Sequence, residues 1–96
     1  MQSSLAIPLD HPAFAGHFPA LPVLPGAILL DEMLHAIELA RGIDLTRWQI
    51  GAAKFLDTVQ PGDSLLLEHD APAPGLIRFT IHAGSRKVSS GTLHEA

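Results

Sequence analysis

The sequence predicts an α+β domain in which one antiparallel sheet curls over a single long helix. Two observations predict it. Residues 25–41 carry helical periodicity closed by a glycine, and the residues after it form short β-type runs separated by Pro/Gly turns. Connections that short favour sequential antiparallel neighbours over crossovers. No linker, repeat or low-complexity tract interrupts the 96 residues, so residues 1–96 read as one domain.

The first element is a short edge strand over Ser4 to Leu9, because Pro8 cannot donate to a ladder and is tolerated only where its missing N–H faces outward. Pro19, Pro22 and Pro25 then forbid regular structure up to the helix, which Pro25 can open because a first-turn proline loses no intrahelical bond. Gly42 is placed to end it in the left-handed conformation. At a hundred degrees per residue, Leu29, Leu30, Met33, Ala36, Ile37 and Ala40 form a core face, while Asp31, His35 and Glu38 share the opposite one. Strands follow within Trp48 to Thr58, at Ser64 to His69, at Leu76 to His82 and at Val88 to His94. Turns are expected at Pro61-Gly62-Asp63, Pro72-Ala73-Pro74-Gly75 and Ala83-Gly84-Ser85.

Composition sets the outer limits of function. A lone chain of this length buries roughly 60–65% of its unfolded surface. With 47% hydrophobic and 17% charged residues, some apolar area is expected to be covered by a partner subunit. The absence of cysteine removes disulfides and thiolate metal sites and is compatible with a reducing cytoplasm. A formal charge of -4 argues against nucleic acid as a partner. No basic-led signal segment or membrane-length apolar run is seen, so a cytoplasmic protein is expected. The six histidines show no His-x-x-x-His or His-x-His spacing, so no metal site is expected.

Chemistry concentrates in Gly16-His17-Phe18-Pro19-Ala20-Leu21-Pro22-Val23-Leu24-Pro25-Gly26 and in Asp31, fourteen positions after His17. Imidazole titrates nearest neutrality, and a carboxyl group complements it as acid or orienting partner. Gly26, at the helix start, can present a backbone N–H and the positive end of the macrodipole to a developing oxyanion. For Asp31 to act as an acid it needs poorly solvated surroundings. Ile28, Leu30 and Leu34 would help to supply these, while the helix N-terminus favours the ionised form.

Phe14-Ala15-Gly16-His17-Phe18-Pro19, then Pro22-Val23-Leu24-Pro25-Gly26, then Asp31, resemble the active-site segment of the hotdog-fold 3-hydroxyacyl-acyl carrier protein dehydratases. Lys54-Phe55 and Val59-Gln60-Pro61-Gly62-Asp63 resemble the strand and turn that follow the helix in that family. The resemblance implies a hotdog fold, a curved antiparallel sheet wrapped around one central helix, acting as an obligate dimer or an oligomer of dimers without a cofactor. It implies that His17 removes the proton α to the thioester carbonyl. Asp31, from the other subunit, would assist departure of the β-hydroxyl as water, with Gly26 as oxyanion donor. Aspartate in place of glutamate leans toward the subgroup that also isomerises its product. Phe14, Gly16, Phe18, Pro22, Val23 and His35 would line the acyl site, and the acyl group would be carried on acyl carrier protein.

Three departures stand out. His35 occupies a position where the family commonly has glutamine. Leu56 and Asp57 stand where basic residues usually follow the phenylalanine, leaving Lys54, Arg78, Arg86 and Lys87 for any carrier contact. The N-terminal helix and first strand of typical members are not found, which points to a minimal form with a more open acyl pocket. A hotdog thioesterase and a non-catalytic acyl-binding or heterodimer-stabilising subunit are the competing readings, and the Gly-His-Phe-Pro turn counts against the thioesterase.

Overall fold

The computed structural model describes residues 1–6, 24–60 and 62–96. The elements are β1 (Gln2–Ala6), α1 (Gly26–Arg41), β2 (Trp48–Phe55), β3 (Ser64–Ala73), β4 (Leu76–Ala83) and β5 (Arg86–Glu95). The strands form one five-stranded sheet in the order β1-β3-β4-β5-β2, and all neighbours are antiparallel. The expected α+β architecture is therefore present, with β1 on one edge and β2 on the other.

Helix α1 runs from Pro25 as N-cap to Gly42 as C-cap. Gly42 has φ 63, a backbone shape that costs little only without a Cβ, and its N–H closes the last turn on the Glu38 carbonyl at 2.9 Å. Leu29, Met33 and Ile37 are buried against the sheet, with Leu30 and Ala36 half-buried beside them. Their partners alternate along the strands, as residues on one face of a pleat must: Leu65 and Leu67 on β3, then Ile77, Phe79 and Ile81 on β4. Val88 and Leu93 on β5 complete this side of the core.

The strand boundaries depart from expectation at β1, at β3 and at β5, which runs from Arg86 to Glu95 and so begins two residues before Val88. β1 begins at Gln2, two residues earlier than read, and pairs with β3 from Gln2 opposite Glu68 to Ala6 opposite Ser64. β3 continues past His69 to Ala73, because a register shift between Asp70 and Ala73 takes Pro72 into the strand where its missing N–H interrupts the ladder. The turn into β4 is correspondingly tighter. It has Pro74 followed by Gly75 at φ 73, the pattern of a type II turn.

Candidate active site

Gly26 opens α1 without a side-chain cap and with no acidic residue in the first turn. The Ile28 and Leu29 N–H groups both donate to the Pro25 carbonyl, at 3.0 and 3.1 Å, whereas the Gly26 N–H has no acceptor among the described residues. Among the described residues nothing compensates the positive end of the helix, and such an end favours an anionic oxygen.

The loop between β2 and β3 holds this end in place. Leu24 N–H donates to the Val59 carbonyl at 2.8 Å, just ahead of the cap, and Val59 is buried. The loop is itself fastened to β5, where Leu56 N–H donates to the Val88 carbonyl at 2.9 Å. Arg86 reaches Asp57 at 2.9 Å and Asp63 at 3.5 Å. The Thr58 N–H and then Arg86 hold the Asp57 carboxyl below the usual carboxylate range. Arg86, one of the four residues expected for any carrier contact, has its charge shared between these two aspartates.

Asp31 lies five residues into the helix, about 7.5 Å further along its axis than Gly26. It is exposed, as is His35 one turn on, and neither has a hydrogen-bond or ion-pair partner among the described residues. Ile28, Leu30 and Leu34 are engaged with the core of their own chain. A poorly solvated setting for Asp31 therefore has to come from elsewhere. Glu38 leaves the polar stripe expected of it, being half-buried and accepting the Leu45 N–H at 2.9 Å. It does not pair with His35.

His17, Phe14, Gly16, Phe18, Pro22 and Val23 lie outside the described residues. Of the expected carrier contacts, Lys54 and Lys87 are exposed and have no ion-pair partner among the described residues. Arg78 is far from Gly26 and is bound through Nε and Nη2 to both Asp70 oxygens, at 3.1 and 2.6 Å. A shallow groove of about 450 Å³ lies beside that pair, lined by Gln2, Glu68 and Thr80 among others. It sits near the C-terminal end of α1, roughly 22 Å from Gly26 by helix rise, and its Asp70 and Arg78 charges are satisfied by each other.

Two features escaped sequence reasoning. His69 is buried, and its Nδ1 accepts from Arg41 Nε at 2.9 Å, joining the end of α1 to β3. Burial first, then the Arg41 charge, hold its pKa below the ordinary histidine value. The second is Phe55. Its ring lies so close to Gly26 that a Cβ on that glycine would meet Cζ at 2.7 Å. The Lys54-Phe55 pair signalled a strand, but nothing local in the sequence signalled the contact.

The family model described as ApeI-like, ApeI dehydratase, matches residues 1–92. The chain belongs to the ApeI-like dehydratase family. It is 35% identical over 85 residues to a 3-hydroxyacyl-[acyl-carrier-protein] dehydratase FabZ of Acidovorax sp. (strain JS42), an alignment covering 76% of this chain and 59% of the relative. The chain thus spans less than two thirds of that relative's length. Among solved structures, the dehydratase heterocomplex ApeI:P from Xenorhabdus doucetiae superposes with a TM-score of 0.78 at 27% identity, covering 97% of this chain and 83% of that one. The dehydratase domain of PpsC from Mycobacterium tuberculosis, in complex with C12:1-CoA, gives 0.80 at 20% identity, covering 99% and 38% respectively, and shows the shared fold. The fold is the hotdog fold expected from the motif resemblance.

Proposed function

We propose that this ApeI-like chain dehydrates a 3-hydroxyacyl thioester to the trans-2-enoyl thioester and water. The observation that carries the reading is the Gly26 N–H, which has no acceptor among the described residues, at a helix start nine positions after His17 of the Gly-His-Phe-Pro motif in a chain of this family. His17 takes the proton α to the carbonyl, and the Gly26 N–H binds the thioester oxygen as enolate charge develops. The Cβ–O bond then breaks, and Asp31 delivers a proton to the departing hydroxyl, so that water leaves. Return of the proton from His17 to Asp31 closes the cycle without a cofactor. One oxyanion donor is typically worth about 2.7–4 kcal/mol of barrier lowering. Phe14, Gly16, Phe18, Pro22 and Val23 are assigned to the acyl site, with His35 beside the acid.

The site is completed by a second copy. Asp31 is exposed on its own chain, which supports apolar surroundings supplied across an interface. The β2 edge favours such a contact, since Ile50 and Leu56 are exposed there, while the β1 edge presents Gln2 and Ser4. The ApeI:P structure is a heterocomplex, which favours a second reading in which the partner is a different hotdog chain. The acyl group is assigned to acyl carrier protein, the substrate carrier named for the FabZ relative, with Lys54 and Lys87 as the available contacts. Among the described residues no helix is long and apolar enough to cross a membrane. This reading places the reaction in the cytoplasm.

The test follows enoyl absorbance and free thiol together on 3-hydroxyacyl thioesters. Enoyl without thiol is the expected result, while thiol release would mark a thioesterase and neither product a binding subunit. His17→Ala and Asp31→Asn should each abolish enoyl formation, and mixing the two variants should restore part of it. A mixture that exchanges subunits and stays inactive would overturn the two-chain site.

A further inference from the structure

The contact between Phe55 and Gly26 carries a consequence for substrate choice. The Phe55 ring lies on the helix side of β2, opposite Ser89, with its edge on the first residue of α1. A Cβ built on Gly26 would be 2.7, 2.8 and 3.2 Å from Cζ, Cε1 and Cε2, tighter than side chains tolerate. Adding bond lengths places the ring edge within roughly 5 Å of the Gly26 nitrogen. Yet Phe55 remains 53% exposed, so packing within its own chain does not account for a phenyl ring at this position. A half-wet aromatic face beside an N–H that has no acceptor among the described residues is suited to an apolar group attached to the acceptor of that N–H.

We infer that Phe55 is a specificity-determining residue whose ring walls the helix start and selects acyl thioesters unbranched at the carbon next to the thioester carbonyl. The inference rests on reading the Gly26 N–H as the donor to the thioester oxygen. With that oxygen about 2.9 Å from the nitrogen, the carbonyl carbon and its α-carbon follow within two bonds and have the ring as neighbour. An α-methyl group meets the ring. An α-methyl-3-hydroxyacyl thioester still carries one α-proton, so its rejection is steric and not chemical. A methyl on Gly26 would push the exposed ring out of this place, so the glycine lets the ring lie on the helix start.

The test titrates the isotope-labelled protein with crotonyl-N-acetylcysteamine and its α-methyl counterpart, tigloyl-N-acetylcysteamine, following the Gly26 amide resonance. The same variants are assayed on the corresponding 3-hydroxy thioesters. The wild type should bind the crotonyl probe at least about tenfold more tightly, the scale on which an apolar site discriminates one methylene. Phe55→Ala should reduce that ratio about tenfold. Phe55→Leu, which keeps an apolar side chain on the strand edge, should shift it part-way. General damage to the fold would weaken both probes alike and leave the ratio unmoved. An unchanged ratio in both variants, or a Gly26 amide that responds to neither probe, overturns the inference. If the amide responds with a ring-dependent ratio but no enoyl forms from the 3-hydroxy thioesters, the dehydratase reading fails while the role of Phe55 stands.

Discussion

Gly91→Ala is expected to be among the most damaging single-methyl changes in the protein. Gly91 lies on β5 between Phe79 of β4 and Ala53 of β2. An added Cβ would collide with the Ala52 carbonyl oxygen and would sit 2.8 and 3.0 Å from Cζ and Cε1 of Phe79. Neither neighbour can step aside, since the first is backbone and the second is a core ring only 2% exposed. Overpacking of this kind costs about 1–3 kcal/mol. Forcing β2 away loses one or two ladder bonds, at about 0.5–1.5 kcal/mol each. The sum, about 1.5–6 kcal/mol, lowers the melting temperature by at least about 6 °C in a domain of this size. Gly51→Ala is the control. Its Cβ would meet the His94 ring and would lie 2.9 Å from Thr92 Oγ1, but His94 is exposed and its ring can swing outward. That variant should melt within about 4 °C of the parent, the shift expected for less than about 1 kcal/mol. Thermal unfolding followed by far-ultraviolet circular dichroism measures both. Equal melting temperatures for the two variants, or a Gly91→Ala loss under about 4 °C, would refute the distinction between a fixed and a movable obstacle. Adding Phe79→Leu to Gly91→Ala should not restore stability, because the carbonyl remains.

Two further outcomes follow from charged groups. His69 has its pKa lowered by burial and by Arg41, so the folded state binds fewer protons than the unfolded chain below the ordinary value of 6.5. Its stabilising contribution is therefore complete above pH 6.5 and is lost as pH falls through the folded-state pKa. Denaturation midpoints measured from pH 7.5 to 5 should decline in the wild type and decline less in His69→Gln, which keeps an acceptor for Arg41 without titrating. Equal slopes would exclude His69 as the cause. Arg86→Gln should lower the melting temperature modestly at low salt, with the difference disappearing near 1 M salt, where the Debye length is about 3 Å. A salt-independent loss would mean that Arg86 holds the loop by packing.

The contrast between what could and could not be read from the chain lies in the range of the interactions. Pro25 and Gly42 act on their own backbones, through a fixed φ at one end and a left-handed φ of 63 at the other, so the limits of α1 were legible locally. The limits of β3 were not, because a register shift against β4 decides whether Pro72 ends the strand or rides within it. Half-burial of Leu66 on the far face of the sheet also blurred the alternation of Leu65, Leu67 and His69.

The site divides along the same line. Asp31 falls on an exposed helix face because helical period puts it there, and a Gly26 N–H without an acceptor among the described residues is what a helix opened by proline without a capping side chain gives. The pairing of Arg86 was not legible because the aspartates that share its charge lie 29 and 23 residues away, and only strand pairing brings them together. For Gly26 the sequence suggests only a backbone donor to an oxyanion, a role in which a small residue leaves access for a ligand. The Phe55 ring, brought in by the β2–β5 register from 29 residues downstream, already occupies the space that its side chain would have filled. Two quite different causes, access for a ligand and room for a ring, thus ask for glycine at one position. The Gly26→Ala change alone cannot separate them. The Phe55 variants can, because they remove the ring while leaving the donor in place.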